Sequence, residues 1–318
     1  MTNEQRPHIS VVTPVYKAEE CIDELAQRLT ASLEQIDPRF EIIMVEDCGG
    51  DGSWDRITEM ASADARILGI QLSRNFGQHH AIAAGLNHAR GDWVVVMDCD
   101  LQDQPEEIHV LYEAALQGYD VALGLRSNRD DKFIKRLGSR LFYLCFNHLT
   151  GVKFDRRVAT FSVFSRRAAD ALRSVQKSTT FLMVLVHWIG LPTTKVPVKH
   201  ALRPGRRSSY NLRKLLALAF NAAVGFSPKP LHFAIVAGVV MVGLSCLAGI
   251  GVVAMHFMGK LTQPGWASLM VSIWFATGLI IANLGVLGTY LGKVYEQTQG
   301  WPLYIVRRTT EDETGATE

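Results

Sequence analysis

From residue 8 to about residue 125 the chain alternates between two periods. Short β-branched runs give way to turns, and the turns to longer stretches in which apolar residues recur every three or four positions. Read with the usual strand and helix periodicities, this pattern predicts strands over 8–14, 41–45, 66–72, 93–97 and 120–124. Helices are predicted over 19–36, 53–63, 78–89 and 105–117. Strands this uniformly apolar, spaced by helices, predict an α/β domain with a largely parallel sheet covered on both faces. Ligands of such sheets bind beyond the carboxyl ends of the strands, and the polar residues Tyr16, Glu46, Asp47, Ser73, Arg74, Asn75, Asp98, Asp100 and Arg126 fall at or just after strand ends.

Further on, the pattern changes. Over 231–258 there is no charged residue apart from His232 and His256 when protonated, and 266–292 carries no charge at all. At about 1.5 Å per residue each run covers roughly 40 Å as a helix, more than the roughly 30 Å of bilayer hydrocarbon, so two spanning helices are expected. The connector 259–265 holds one cation, Lys260, whereas Lys229 precedes the first run and Lys293, Arg307 and Arg308 follow the second. This asymmetry predicts a hairpin with its tip outside and both ends cytoplasmic. Gly288 and Gly292 make a G-x-x-x-G spacing, which marks close helix packing or simply the frequent glycine of such helices. The tail 309–318 is polar and acidic and is expected to be disordered.

Two basic stretches lie between these regions. Lys132, Lys135, Arg136 and Arg140 lie on or near one face of a predicted amphipathic helix over 133–149, with Arg126 and Arg129 upstream; this is either a solvated stripe or a cationic wall facing phosphate. Arg203, Arg206, Arg207, Arg213 and Lys214 precede the apolar segment 215–226, which suits either a membrane interface or an ordinary core helix. The expected organisation is a cytoplasmic catalytic domain over 1–210, an interfacial segment over 211–230, the hairpin over 231–292 and a tail over 293–318.

Composition narrows the picture. The 318 residues are 48% hydrophobic, enough for one large domain plus a membrane module, and a net charge of +2 gives no support for a nucleic-acid binder. The five cysteines are scattered without a C-x-x-C pair or a Cys/His cluster, which argues against a disulfide framework or a zinc site and suits a reducing compartment. The polar first seven residues lack the apolar run of a secretory signal.

The chemistry centres on Asp98, Asp100 and Gln102. Carboxylates at i and i+2 leaving a buried strand can reach one hard divalent cation, Mg²⁺ or Mn²⁺, although aspartates in loops also serve as turn and capping residues. Asp103 is expected to cap the helix that begins near Pro105, where Glu106 and Glu107 suit the helix dipole. His79 and His80, at a helix start, read as packing or hydroxyl-contact residues.

Several motifs occur in one order: Ser10-Val11-Val12-Thr13-Pro14-Val15-Tyr16, Val45-Glu46-Asp47 with Asp51-Gly52-Ser53, Ser73-Arg74-Asn75-Phe76-Gly77, Gly91-Asp92, and Met97-Asp98-Cys99-Asp100-Leu101-Gln102-Asp103. Together they resemble a family 2 glycosyltransferase of the GT-A fold. Gly124-Leu125-Arg126, the Lys135 to Tyr143 stretch, the Arg203 to Tyr210 stretch and two terminal spans are similar to the polyisoprenyl-phosphate branch related to dolichol-phosphate mannose synthase. The resemblance covers about residues 8–308. It implies inverting transfer of one sugar from a nucleotide diphosphate, usually UDP, to an undecaprenyl-type phosphate at the plasma membrane, for cell-envelope glycan modification. It further implies a nucleotide pocket lined by Pro14, Tyr16, Glu19 and Asp47, and a metal held by Asp98, Asp100 and Gln102. The lipid phosphate would meet Arg126, Arg136 and Ser139 with Arg203, Arg206 or Arg207, and a homotetramer is among the assemblies of the branch. One departure stands out: relatives often carry Asp in a Gly-Asp-Phe stretch where this chain has Ala159-Thr160-Phe161. The acceptor phosphate is mostly a dianion at neutral pH and needs no base, so the activity is expected to survive the change. Two other readings are a processive polysaccharide synthase, which would carry a Q-x-x-R-W motif absent here, and a membrane scaffold with a silent transferase domain.

Overall fold

The computed structural model describes residues 6–126, 157–175, 182–201, 229–258 and 265–315. They form parts of two compact units, one containing 1–131, 155–207 and 302–318, the other 132–154 and 208–301.

The first unit is built on an eight-stranded sheet of order β7-β5-β6-β4-β1-β2-β3-β8. Strands β1 (Ile9–Val15), β2 (Phe40–Glu46), β3 (Ile67–Leu72) and β4 (Trp93–Val96) form its parallel centre. Beside β4 lie β6 (Val158–Ser165), running antiparallel, and then β5 (Val121–Arg126) and β7 (Thr193–Val198), parallel to each other. The sheet is therefore largely parallel, as expected, with β6 and the edge strand β8 (Val306–Thr309) as its antiparallel members.

Every residue of β1 and β3 is buried. Alternate side chains feed two separate cores: Val11, Ile42 and Val95 pack with α1 (Ile22–Glu34) and α4 (Ile108–Leu116), while Val12, Ile43 and Val94 pack with α3 (Gln78–His88) and α5 (Arg166–Val175). This is the sandwich of helix, sheet and helix that continuous apolar strands require. Helix α2 (Ser53–Ala63) adds Ile57 to the first core, and α6 (Leu182–Ile189) adds Leu182, Leu185 and Val186 to the second.

The tail overturns the expectation of disorder. Strand β8 (Val306–Thr309) adds antiparallel to β3, and a short helix α9 (Thr310–Gly315) follows. The Thr310 hydroxyl is buried and accepts the Gly69 amide at 3.0 Å. An acidic tail has too few apolar residues to fold alone, but it orders here by completing the open edge of an existing sheet.

The second unit contributes helices α7 (Lys229–Phe257) and α8 (Trp266–Thr298), the latter continuing past Gly292. Both are long and apolar enough to cross a membrane. Their described surfaces expose large apolar side chains, among them Leu247, Ile250, Trp274, Ile281 and Leu291. The predicted helices over 133–149 and 215–226 lie outside the described residues.

Candidate active site

Because β4, β1, β2 and β3 are adjacent and parallel, the segments that leave their carboxyl ends share one edge in that order. Asp98 to Gln102 follow β4, Tyr16 and Lys17 follow β1, Glu46 and Asp47 close β2, and residues 73–77 follow β3. The last loop bends back across the edge, and the side-chain Nε2 of Gln78, the first residue of α3, donates to Asp98 Oδ1 at 2.6 Å. Asp98 and the start of α3 thus meet at this edge.

Backbone strain concentrates there. Lys17 (φ 52°), Cys48 (φ 52°) and Leu101 (φ 58°) are the non-glycine residues with left-handed backbone among those described, and each follows a different strand end. Such conformations cost about 1–3 kcal/mol each for side chains of this kind and persist only where surroundings hold them. At Leu101 the turn brings the Gln102 amide to Asp100 Oδ1 at 3.2 Å.

Asp47 is buried and is committed to the protein itself. Its Oδ1 accepts the Phe76 amide at 2.7 Å and its Oδ2 the Gly77 amide at 2.8 Å. Burial pushes its pKa up, and the two amide hydrogen bonds pull against that shift. The carboxylate therefore pins the loop 73–77, whose last residue, Gly77 at φ 94°, needs glycine's freedom to launch α3. Glu19 does similar work at the neighbouring loop: its Oε2 accepts the Gly52 amide at 3.1 Å, while Asp51 Oδ2 accepts the Glu19 amide at 3.3 Å and the Ser53 hydroxyl at 2.8 Å. Tyr16 is half exposed with the Lys17 ammonium 5.6 Å from its ring centre, and Pro14 pairs in register with Val45.

Other groups emerge that sequence reasoning missed. The Cys21 thiol donates to the carbonyls of Cys99 at 3.1 Å and Ala18 at 3.3 Å, tying the start of α1 to the turn that carries Asp98 and Asp100. Contact with Cys21, then burial, holds the Cys99 thiol protonated. Scattered in sequence, these cysteines gave no signal of their meeting. Glu46, noted from the sequence only as a strand-end carboxylate, accepts the Gly49 amide at 2.5 Å and the Gln71 side-chain amide at 3.0 Å.

Asp103 does not cap the following segment, which opens with a 3₁₀ turn at Pro105–Glu107 and has no side-chain cap. The carboxylate is buried and accepts from His200 Nδ1 at 3.1 Å. A backbone bridge joins Asp103 to His200, and the Ala201 amide donates to the Gln102 carbonyl at 2.9 Å. The segment leading to the arginines at 203–207 is thereby stapled directly behind Gln102. His79 is largely buried, and that burial, with His80 adding to it, holds its imidazole neutral; His80 lies at 6.4 Å from the Phe76 ring. Both behave as packing residues.

Arg126 is the last residue of β5, level with Val198 of β7, so its backbone reaches the same edge. Thr160 is half-buried near the start of β6, two residues before Ser162, which lies opposite Val96; its carbonyl accepts the Ser162 hydroxyl. Arg136, Ser139, Arg203, Arg206 and Arg207 lie outside the described residues. No three His, Cys, Asp or Glu side chains converge in a way that could hold a metal ion among the described residues.

The sequence profile of the family described as Glycosyl transferase family 2 matches residues 10–173. The chain is similar to the Bacillus subtilis (strain 168) protein described as Uncharacterized glycosyltransferase YkcC, at 33% identity over 94% of this chain and 93% of that one. It is also similar to the Undecaprenyl-phosphate 4-deoxy-4-formamido-L-arabinose transferase of Aeromonas hydrophila subsp. hydrophila, at 31% identity over 99% of this chain and 97% of that one. Among solved structures, glucosyl-3-phosphoglycerate synthase from Mycobacterium tuberculosis in complex with Mn²⁺, UDP and glucosyl-3-phosphoglycerate gives a TM-score of 0.46 at 17% identity, over 69% of this chain and 78% of that one.

Proposed function

From the premise that the chain belongs to glycosyl transferase family 2 and is a glycosyltransferase, we propose that it transfers one sugar, with inversion, from a nucleotide diphosphate to the phosphate of a membrane-borne polyisoprenoid. The observation that carries the acceptor class is similarity along nearly the whole chain, the two apolar helices included, to transferases named for undecaprenyl phosphate. UDP is the nucleotide proposed.

The donor lies along the edge formed by Pro14, Tyr16, Glu19 and the loop that Asp47 pins. Asp98, Asp100 and Gln102 would hold Mg²⁺ or Mn²⁺, since hard oxygen donors of this kind suit such an ion. When bound, such an ion supplies charge neutralisation for the departing diphosphate. Arg126, Arg136 and Ser139, joined by the basic stretch at Arg203, Arg206 and Arg207, receive the acceptor phosphate, since guanidinium forks match its oxygens in pairs. That phosphate is already a dianion and a nucleophile. The protein's task is in-line positioning and charge stabilisation, so a threonine at 160 in place of a carboxylate leaves the reaction intact.

The hairpin 231–292 is proposed to cross the plasma membrane twice, with the catalytic unit and both ends cytoplasmic. Support comes from the return of β8 to the catalytic sheet: a chain that leaves this unit near residue 207 and rejoins it at 302 crosses an even number of times.

The test is transfer to undecaprenyl phosphate with Mg²⁺ or Mn²⁺ and a panel of UDP-, GDP- and dTDP-sugars, read by mass spectrometry of the lipid fraction. A lipid-linked monosaccharide is expected. A polymer would indicate a processive synthase instead, and no product with any donor would contradict the proposal.

A further inference from the structure

The chain beyond its second apolar helix does more than close the sheet edge. Thr309 and Arg308 pair with Ile70 and Gln71, the register shifts at Leu72, and the Ile305 carbonyl then accepts the Ser73 amide at 2.9 Å. The tail's hydrogen bonds therefore run past the end of β3 into the loop 73–77. Beside this contact, Arg308 lies with its guanidinium 4.9 Å from the centre of the Trp54 ring, and its Nε donates to Gln71 Oε1 at 2.9 Å. The Gln71 amide donates in turn to Glu46, whose other oxygen accepts the Gly49 amide. Gln71 and Glu46 are both buried, so each link is made in a medium where an unmade hydrogen bond is costly.

Through this relay a residue of the tail sets the backbone of one pocket loop, 48–52, while the Ile305 carbonyl sets the first residue of the other, 73–77. The attachment is specific in shape. A side chain at Gly69 would bring its Cβ to 2.6 Å from Ile57 Cγ2 and 2.8 Å from Thr310 Cγ2, so glycine is what lets the tail seat against this strand.

We propose that residues 304–310 are a positioning strap for the donor pocket and that Arg308 is its positioning residue, acting on Gly49 through Gln71 and Glu46. The inference rests on the reading that loops 48–52 and 73–77 border the nucleotide. Its consequence is that the donor site is complete only in a chain whose tail has come back from the apolar hairpin, so donor binding reports on correct assembly of the whole polypeptide.

The test uses the full chain in detergent, comparing wild type with Arg308→Met, Arg308→Lys and Glu311→Gln. Met keeps an apolar stem over Trp54 but removes the donor to Gln71, and Lys restores a donor. Glu311→Gln breaks the exposed ion pair of the tail with Arg90 and serves as the control. Arg308→Met is expected to weaken Mn²⁺–UDP binding and raise the donor KM about tenfold, with acceptor KM and kcat within about twofold of wild type. Arg308→Lys is expected to recover most of that loss, and Glu311→Gln to leave UDP binding unchanged. Amide hydrogen exchange at Gly49 and over 73–77 is expected to quicken in Arg308→Met alone. Unchanged UDP affinity together with unchanged exchange would overturn the strap. So would equal losses of donor and acceptor affinity, the mark of a merely structural role. If wild type binds none of UDP, GDP or dTDP, the proposed function fails instead, and the exchange rates alone decide the strap. If Arg308→Met does not fold, Arg308→Lys is read with the same two outcomes at two- to threefold amplitude.

Discussion

Asp47 closes β2 as strand periodicity places it, yet its partners come from a loop about thirty residues downstream that no local pattern could join to it. Removing the carboxylate leaves the Phe76 and Gly77 amides without their acceptor. Asp47→Ala is therefore expected to cost about 1–3 kcal/mol of stability, and Asp47→Asn, which keeps one acceptor oxygen, about half as much; thermal and denaturant melts check the order. His79 supplies a second residue-scale expectation. Burial depresses its pKa below 6.5, so below that pH the unfolded chain takes up a proton that the fold excludes. Its contribution to stability is complete above pH 6.5 and is lost as pH falls beneath it. The melting temperature of wild type is expected to decline between pH 7 and pH 5, with His79→Gln flattening that part of the profile; an identical slope in both would contradict the assignment.

Elements were more legible than the contacts between their ends. The central strands are apolar on both faces, and that alone marks β1 to β4 and the helices that cover them. The direction of β6 was not legible, because an apolar strand reads the same either way. Asp103 shows where local rules give way: its position before Pro105 suits a cap, but a strand end some hundred residues away brings His200 to it and the buried hydrogen bond wins. The staple joins the turn bearing Asp98 and Asp100 to the chain that leads to the arginines at 203–207. Asp103→Leu is expected to strand a half-buried imidazole, lower stability by about 2 kcal/mol and quicken limited proteolysis over 202–210, with Asp103→Asn close to wild type. Equal protease sensitivity in all three would sink the staple.

At the scale of the whole chain, the two apolar helices were plain from charge-free runs of more than 25 residues, a length that few soluble folds need. The tail was not, since composition judges whether a segment can fold alone and this one folds on a borrowed edge. Its return to β3 makes a topological prediction: reporters fused before residue 6 and after residue 315 are expected on the same face of the membrane, and one placed in 259–264 on the other. A tail reporter facing away from the amino terminus would contradict the hairpin.

The proposed transfer depends on a divalent ion held past the end of β4 while a sugar passes from nucleotide to lipid phosphate. Its most direct test replaces both Asp98 and Asp100 with alanine in chelator-treated protein, adds Mg²⁺ or Mn²⁺ back stepwise, and follows lipid-linked sugar by mass spectrometry beside wild type. Wild type is expected to regain activity with added metal, and the double variant to remain at least about a hundredfold lower at every concentration, as loss of the main charge stabilisation of the transition state requires. Undiminished glycolipid synthesis by the variant, or full activity of wild type with chelator present, would contradict it.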